Sequence, residues 1–133
     1  MRSLAALVTA SLLTATAAAH HSIAAVYDSG RMVTVDGTIT RFRFVQPHPF
    51  IELEVKTPQG AAEGWQLEMD NLRELQAIGL TAETLKAGDR LVVTGSASRS
   101  QARALYVRKA VRPADGLEYE QVGSSPRLKK AER

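Results

Sequence analysis

The feature that most constrains the fold is a long alternating segment, residues 32–45, in which the alternation changes phase. Its apolar side chains occupy odd positions first and even positions later: Val33, Val35 and Ile39, then Phe42 and Phe44. Successive side chains on a strand point to opposite faces, so a slip of one residue moves the apolar set to the other face. A β-bulge produces such a slip where a strand bends. The segment therefore predicts one long, bent strand that serves two sheets, with the slip beside Thr40 and Arg41.

Further alternation predicts four shorter strands, over residues 51–56, 65–69, 91–97 and 104–112. Between the third and fourth strands, apolar residues at helical spacing predict a short helix, with Asp70 as its amino-terminal cap. The order strand, strand, strand, helix, strand, strand is that of the OB fold. We therefore predict a mainly β domain, a five-stranded OB-like barrel with one short α-helix between strands 3 and 4. A generic five-stranded roll or sandwich is the alternative.

The chain begins with the pattern of a secretory signal peptide over residues 1–19. Arg2 precedes an apolar stretch, residues 4–13, which small residues follow up to Ala19. The apolar stretch is too short for a membrane-spanning helix, which needs about 20 residues. We therefore expect export to the periplasm, with no membrane anchor after cleavage.

The remainder divides into a barrel domain over residues 20–112 and a tail over residues 113–133. The tail shows no apolar alternation and carries a basic run, Arg127 to Lys130. It is predicted to be polar and flexible.

Composition excludes several classes of function. The 133 residues contain no cysteine, which excludes disulfides, thiolate metal sites and a thiol nucleophile. Seventeen Lys and Arg against 14 Asp and Glu give a formal charge of +3. So small a surplus does not form the basic surface of a nucleic-acid-binding protein, and no nucleic-acid partner is expected.

The three histidines of the chain point to a metal ion as partner. Cleavage after Ala19 leaves His20 at the amino terminus, where its amine and its ring nitrogen can chelate one ion together. A second imidazole, from His21 or His48, completes a nitrogen set that suits copper(II). This set resembles the histidine-brace site of some exported copper chaperones and oxidative copper enzymes. Pro47 and Pro49 flank His48 and restrict its backbone, so its ring loses little freedom on binding.

Each histidine also has an alternative interpretation. Cleavage after Ala17 makes His20 the third residue, so that the amine, two backbone nitrogens and the imidazole hold the metal in a mobile tail. The other alternative is that these histidines bind no metal. His20 and His21 are then solvated residues beside the cleavage site, and His48 is a turn residue that faces water. If Asp28–Gly30 turns the preceding segment back on the first strand, His20 lies near Ile39, roughly 30 Å along a straight strand from His48.

Four motifs together resemble a family of small exported bacterial proteins of unknown function. They are His20-His21-Ser22, Gly37 to Thr40, Pro47 to Phe50 and Leu85 to Gly95. The resemblance covers residues 20–111 and departs from the family pattern at Gln46 and Ala87, where the family has Asn and Pro. It implies an exported protein with this fold and carries no implication about chemistry.

The carboxylates give no sign of catalysis. They alternate outward on the predicted strands and are interpreted as a solvated face: Glu52, Glu54, Glu63, Glu68 and Asp70. No phosphate-binding glycine loop or G-x-S-x-G motif occurs, so we do not expect an enzyme. Met69 follows the inward positions of Trp65 and Leu67 and is expected in the core.

The favoured hypothesis is an exported binding protein that holds or delivers Cu(II) through His20, with His21 and His48 as further ligands. The alternative is an OB-like interaction module, without metal, that binds a sugar, a peptide or an envelope protein. That module would need a surface aromatic platform, for which the candidates are Phe42, Phe44, Trp65 and Tyr106, beside Arg41 and Arg43.

Overall fold

The computed structural model describes residues 22–130. The predicted signal peptide, His20 and His21 lie outside the described residues. The elements in chain order are α1 (Ile23–Val26), β1 (Tyr27–Arg43), β2 (Phe50–Lys56), β3 (Ala62–Glu68), α2 (Leu72–Ala77), β4 (Arg90–Ser98), β5 (Ala104–Arg112), β6 (Leu117–Val122) and β7 (Ser125–Lys129). No helix within these described residues is long and apolar enough to cross a membrane.

The first five strands close on themselves in the order expected for the OB fold. β1 pairs antiparallel with both β2 and β4, β2 pairs with β3, and β4 pairs with β5. A short parallel pairing of β3 with β5, Gln66–Glu68 beside Ala104–Tyr106, completes the ring. The prediction of a mainly β, OB-like domain with a short helix between strands 3 and 4 is confirmed.

The predicted bulge in the first strand is present. The register of β1 against β2 shifts between Ile39 and Arg41, where the apolar alternation changes phase. Ile39 is 1 % exposed, whereas Phe42 is only partly buried and packs at the edge of the core. The bend lets β1 pair with β4 through its first part and with β2 through its second.

One hydrophobic core fills the barrel and extends below α2. Its members come from β1 to β5, from α2 and the loop after it, and from β6: Val35, Ile39, Ile51, Leu53, Leu67, Met69, Leu75, Leu80, Leu85, Leu91, Val93, Leu105, Val107, Ala110, Leu117 and Tyr119. Met69 is fully buried, as predicted. Its thioether is therefore unavailable to a metal at the surface.

The predicted cap of α2 is wrong by one residue. Asn71 is the N-cap, and its side-chain oxygen accepts a hydrogen bond from the backbone N–H of Glu74 at 3.0 Å. Asp70 instead turns inward and is 8 % exposed. One of its carboxylate oxygens accepts from the backbone N–H of Asn71, and the other accepts from the side-chain amide of Gln121.

The prediction of an irregular tail after residue 112 is wrong over residues 117–129. β6 pairs with β5, and β7 pairs with β6, which extends the sheet beyond the five-stranded ring. Leu117, Tyr119 and Gln121 alternate inward on β6. The sequence does not show this alternation, because the third inward residue, Gln121, is polar. Gln121 can be buried because Asp70 and the hydroxyl of Tyr119 form hydrogen bonds with its amide.

Candidate functional site

His48 lies in the turn between β1 and β2. Backbone hydrogen bonds join this turn to the segment that runs from the end of β3 to the start of α2. The carbonyl oxygen of Pro47 accepts a hydrogen bond from the N–H of Leu72, and that of Pro49 accepts from the N–H of Met69. The turn is therefore held on both sides of the histidine by backbone hydrogen bonds. The side chain of His48 is 19 % exposed, so it is not a turn residue that faces water.

The protein fixes one ring nitrogen of His48 and leaves the other free. Nδ1 lies 2.9 Å from the backbone carbonyl oxygen of Met69. A carbonyl oxygen only accepts, so Nδ1 carries the proton and donates. In the neutral ring Nε2 then holds the lone pair, and it has no hydrogen-bond partner within residues 22–130.

Glu68 stands next to His48 and is not part of a solvated face, contrary to the sequence interpretation. Its side chain is 16 % exposed, and Oε1 lies 3.5 Å from Nδ1 of His48. Oε2 accepts a short hydrogen bond from the hydroxyl of Tyr27. Glu68 does point outward from β3, as the alternation requires, but Tyr27 and α1 cover that part of the outer surface.

Tyr27 serves as a hydrogen-bond donor to this carboxylate. Burial and the hydrogen bond to Glu68 raise the pKa of the Tyr27 hydroxyl above its usual range, so the phenol stays protonated. Its ring also packs against Tyr106, with ring centroids 5.8 Å apart. The hydroxyl, the carboxylate and the imidazole thus form a continuous polar row.

A cavity of about 540 Å³ opens at this row. Tyr27, His48 and Glu68 line it together with Ile23, the first residue of α1. The predicted turn of the leading segment back onto β1 is wrong, because Tyr27 already belongs to β1 and pairs with Ser98 of β4. Ile23, close to the start of the described residues, therefore lines the same cavity as His48.

The described residues by themselves do not complete a metal site. Within residues 22–130 no group of three or more His, Asp or Glu side chains is arranged to hold an ion. Among the described residues that line the cavity, His48 and Glu68 are of the types that can bind a metal ion, and His20 and His21 lie outside the described part of the chain.

The four aromatic candidates for the platform of the interaction module are buried or partly buried in the described structure. Tyr106 is 3 % exposed, and Phe42, Phe44 and Trp65 pack against the core. The large apolar side chains that residues 22–130 do expose are Met32, Val45 and Val122, none of which is aromatic.

Comparison with known proteins gives a family and two distant structural neighbours. The model of the family described as "Family of unknown function (DUF6152)" matches residues 7–106. The N-terminal domain of PriB protein from Thermoanaerobacter tencongensis is 19 % identical with a TM-score of 0.41, covering 61 % of this chain and 93 % of that one. A chain from the crystal structure of a complex of TiaS with a transfer RNA and ATP is 16 % identical with a TM-score of 0.45, covering 80 % of this chain and 30 % of that one. No curated protein matches significantly.

Proposed function

The chain belongs to the family of unknown function DUF6152, and we propose that it is an exported periplasmic protein that binds Cu(II) at its mature amino terminus, for metal holding or delivery. The ligands are the amine and imidazole of His20 with the imidazole of His48, and His21 is the alternative second imidazole. The observation that carries the proposal is that Ile23 and His48 line one cavity.

The length of the chain before Ile23 suits this ligand set. An extended chain spans at most about 3.6 Å per residue, so the Cα atoms of His21 and His20 lie within about 7 Å and 11 Å of that of Ile23. These reaches are comparable with the width of the cavity. His20 therefore needs no unfolding of α1 to approach His48.

The surroundings of His48 support its proposed role as a ligand. A metal-binding histidine commonly donates its second ring N–H to a carbonyl or a carboxylate, which fixes the tautomer and orients the ring. In this protein the Nδ1 proton is directed at the carbonyl of Met69, with Glu68 close by. The carboxylate lies on the Nδ1 side of the ring, across the imidazole from the nitrogen proposed to bind the ion. The ring nitrogens and the amine suit Cu(II).

Binding by these ligands weakens in acid. A free amine has an ordinary pKa of about 7.7 to 8.0 and an imidazole one of about 6.5, and each must lose its proton to bind. The Cu(II) affinity therefore falls as the pH drops below about 8, and falls more steeply below about 6.5.

The experiment starts from the mass of the exported form, which identifies its first residue. Cu(II) titrations then compare two chains, one starting at His20 and one at Ala18, each with and without His48→Ala. In the chain that starts at His20, the substitution weakens binding by about tenfold or more, because one of three ligands is lost. In the chain that starts at Ala18, the amine, backbone nitrogens and His20 hold the ion, so the same substitution changes nothing.

Two results contradict the proposal. An exported form that starts at Ala18 removes the chelating amine from His20. Equal Cu(II) affinity in the chain that starts at His20 and in its His20→Ala variant also contradicts it and favours the interaction module.

One observation supports that module as the second candidate. A cavity of about 620 Å³ lies over β2 and β3, lined by Trp65, Arg103 and Glu63 among others. The indole Nε1 of Trp65 is buried and has no hydrogen-bond partner within residues 22–130. A polar group of a sugar or peptide seated there supplies the missing acceptor. Trp65→Phe tests this by removing the donor together with part of the indole ring, and urea unfolding of the variant measures the packing that is lost with it.

A further inference from the structure

A second groove, of about 470 Å³, lies on the other side of Tyr27 from His48. We call it the Arg108 groove. Its walls come from α1, from the start of α2, from β5 and from the turn between β6 and β7, and they include Ile23, Asp70, Tyr106 and Arg108. It shares Ile23 and Tyr27 with the His48 cavity but contains no histidine.

Tyr106 presents an unsatisfied hydroxyl to this groove. The residue is 3 % exposed, yet its hydroxyl has no hydrogen-bond partner within residues 22–130 and is not sealed from solvent. Burial raises the pKa of this phenol above its usual range, so the hydroxyl stays protonated and available as a donor. The charge of Asp70 raises the pKa of the Tyr106 hydroxyl and the charge of Arg108 lowers it, so both charges act on this hydroxyl.

Arg108 is a half-buried cation that pairs with no carboxylate of the described residues. Its Nε donates to the hydroxyl of Ser96 at 3.1 Å, and its guanidinium lies 4.9 Å from the centre of the Tyr106 ring. No ion pair within residues 22–130 uses its terminal nitrogens. A guanidinium held by its Nε and one ring face offers its remaining N–H groups to a planar anion such as a carboxylate.

The opposite wall of the groove is acidic. Asp70 and Glu74 both line it, and the Asp70 carboxylate is anchored by hydrogen bonds from Asn71 and Gln121. These two negative charges disfavour a dianion such as phosphate and favour a ligand that also carries a cation. Apolar contact area comes from Ile23 and Ala24, whereas the Tyr27 and Tyr106 side chains at the groove are almost fully buried.

We propose that the Arg108 groove binds a small zwitterion, an α-amino acid with an apolar side chain. Its carboxylate pairs with Arg108 and accepts from the Tyr106 hydroxyl. Its ammonium faces Asp70 and Glu74, and its side chain lies against Ile23 and Ala24. This site shares Ile23 and Tyr27 with the cavity of the proposed copper site but uses no histidine, so it does not depend on copper binding.

Binding is measured by NMR titration of the metal-free protein, because amino acids themselves chelate copper. The probes are L-leucine, 4-methylpentanoate, which lacks the ammonium, and 3-methylbutylamine, which lacks the carboxylate. Leucine is expected to bind about tenfold or more tightly than either fragment, with shifts centred on β5 and the start of α2.

Two variants test the anchors. Arg108→Gln removes the charge and weakens leucine binding about tenfold, and Tyr106→Phe removes only the hydroxyl and weakens it about fivefold. Arg90→Gln is the matched control, since Arg90 pairs with exposed Asp36 and does not line the groove. Thermal unfolding of each variant establishes that it is folded.

The proposal is overturned if leucine does not bind at millimolar concentration, binds no better than 4-methylpentanoate, or binds Arg108→Gln and Arg90→Gln equally.

Discussion

The hydroxyl of Tyr27 donates a hydrogen bond to the carboxylate of Glu68, 41 positions further along the chain. Through this contact the first residue of β1 reaches the last residue of β3 across the mouth of the barrel. The same hydrogen bond fixes the position of the Glu68 carboxylate, which lies beside His48. The contact therefore links the position of the leading segment to the histidine of the candidate site.

Removing this hydroxyl is expected to destabilise the protein. Tyr27→Phe leaves one oxygen of a largely buried carboxylate without its donor and lowers the free energy of unfolding by about 1–2 kcal/mol. Urea unfolding measures the loss. Glu68→Gln keeps an acceptor and should cost less, and the double variant should be less destabilised than the sum of the two single changes. Additive losses would show that the two groups do not interact.

Two glycines are expected to be indispensable because strands approach closely there. A methyl group at Gly95 would overlap the backbone carbonyl of Tyr106, and one at Gly37 would overlap that of Glu54. Gly95→Ala and Gly37→Ala should each lower the free energy of unfolding by about 2 kcal/mol or more, because backbone must shift. Gly64 is the control, since a methyl group there meets nothing within 4 Å. Gly64→Ala should change stability by less than about 1 kcal/mol, and a loss as large as that of Gly95→Ala would contradict the argument.

The buried amide of Gln121 is expected to hold the β6–β7 hairpin against α2. Gln121→Met keeps the volume but leaves an oxygen of buried Asp70 without its 2.7 Å donor. The expected loss is about 2 kcal/mol, and amide hydrogen exchange should speed up in β6 before β5. Glu120→Gln, on the outer side of the same strand, is the matched control and should leave both measurements unchanged.

Stability should fall in acid through the carboxylate of Asp115, which Arg112 holds. Arg112 donates to Asp115 and Asp89, and its hydrogen bond holds the pKa of Asp115 below its usual range. A group whose pKa is lower in the folded state binds fewer protons there, so its contribution is present above its ordinary pKa of about 4 and is lost as the pH drops further. In Arg112→Met the decline in unfolding free energy between about pH 5 and 3 should be shallower than in the parent. An unchanged slope would contradict this assignment.

The barrel could be predicted from the sequence because its signals are local. The phase change between Ile39 and Phe42 is visible in the letters alone, and it places the bulge of β1 correctly. Asp70 and Gln121 could not be placed, because each is buried only by virtue of the other, 51 positions away. The sequence around a polar residue does not indicate that a residue far along the chain will form a hydrogen bond with it.

The same limit applies to the candidate site. His48 could be selected because it lies between two prolines, but its hydrogen bond to Met69 depends on how the barrel closes. The alternation predicts that Glu68 points outward from β3 and therefore faces solvent. The outward direction is correct, but the exposure to solvent is not. The cover over it comes from Tyr27 and α1, a segment without a clear period, so the sequence gives no warning that this outward position is sheltered.

Electron paramagnetic resonance of the Cu(II)-loaded chain that starts at His20 tests the central claim most directly. With His48 as a ligand, the hyperfine pattern of nitrogen ligands must change when His48 is replaced by Gln, whereas Arg90→Gln must leave the spectrum untouched. Identical spectra for the parent and His48→Gln would show that the copper is held by the amino-terminal segment alone, and the proposed site would be wrong.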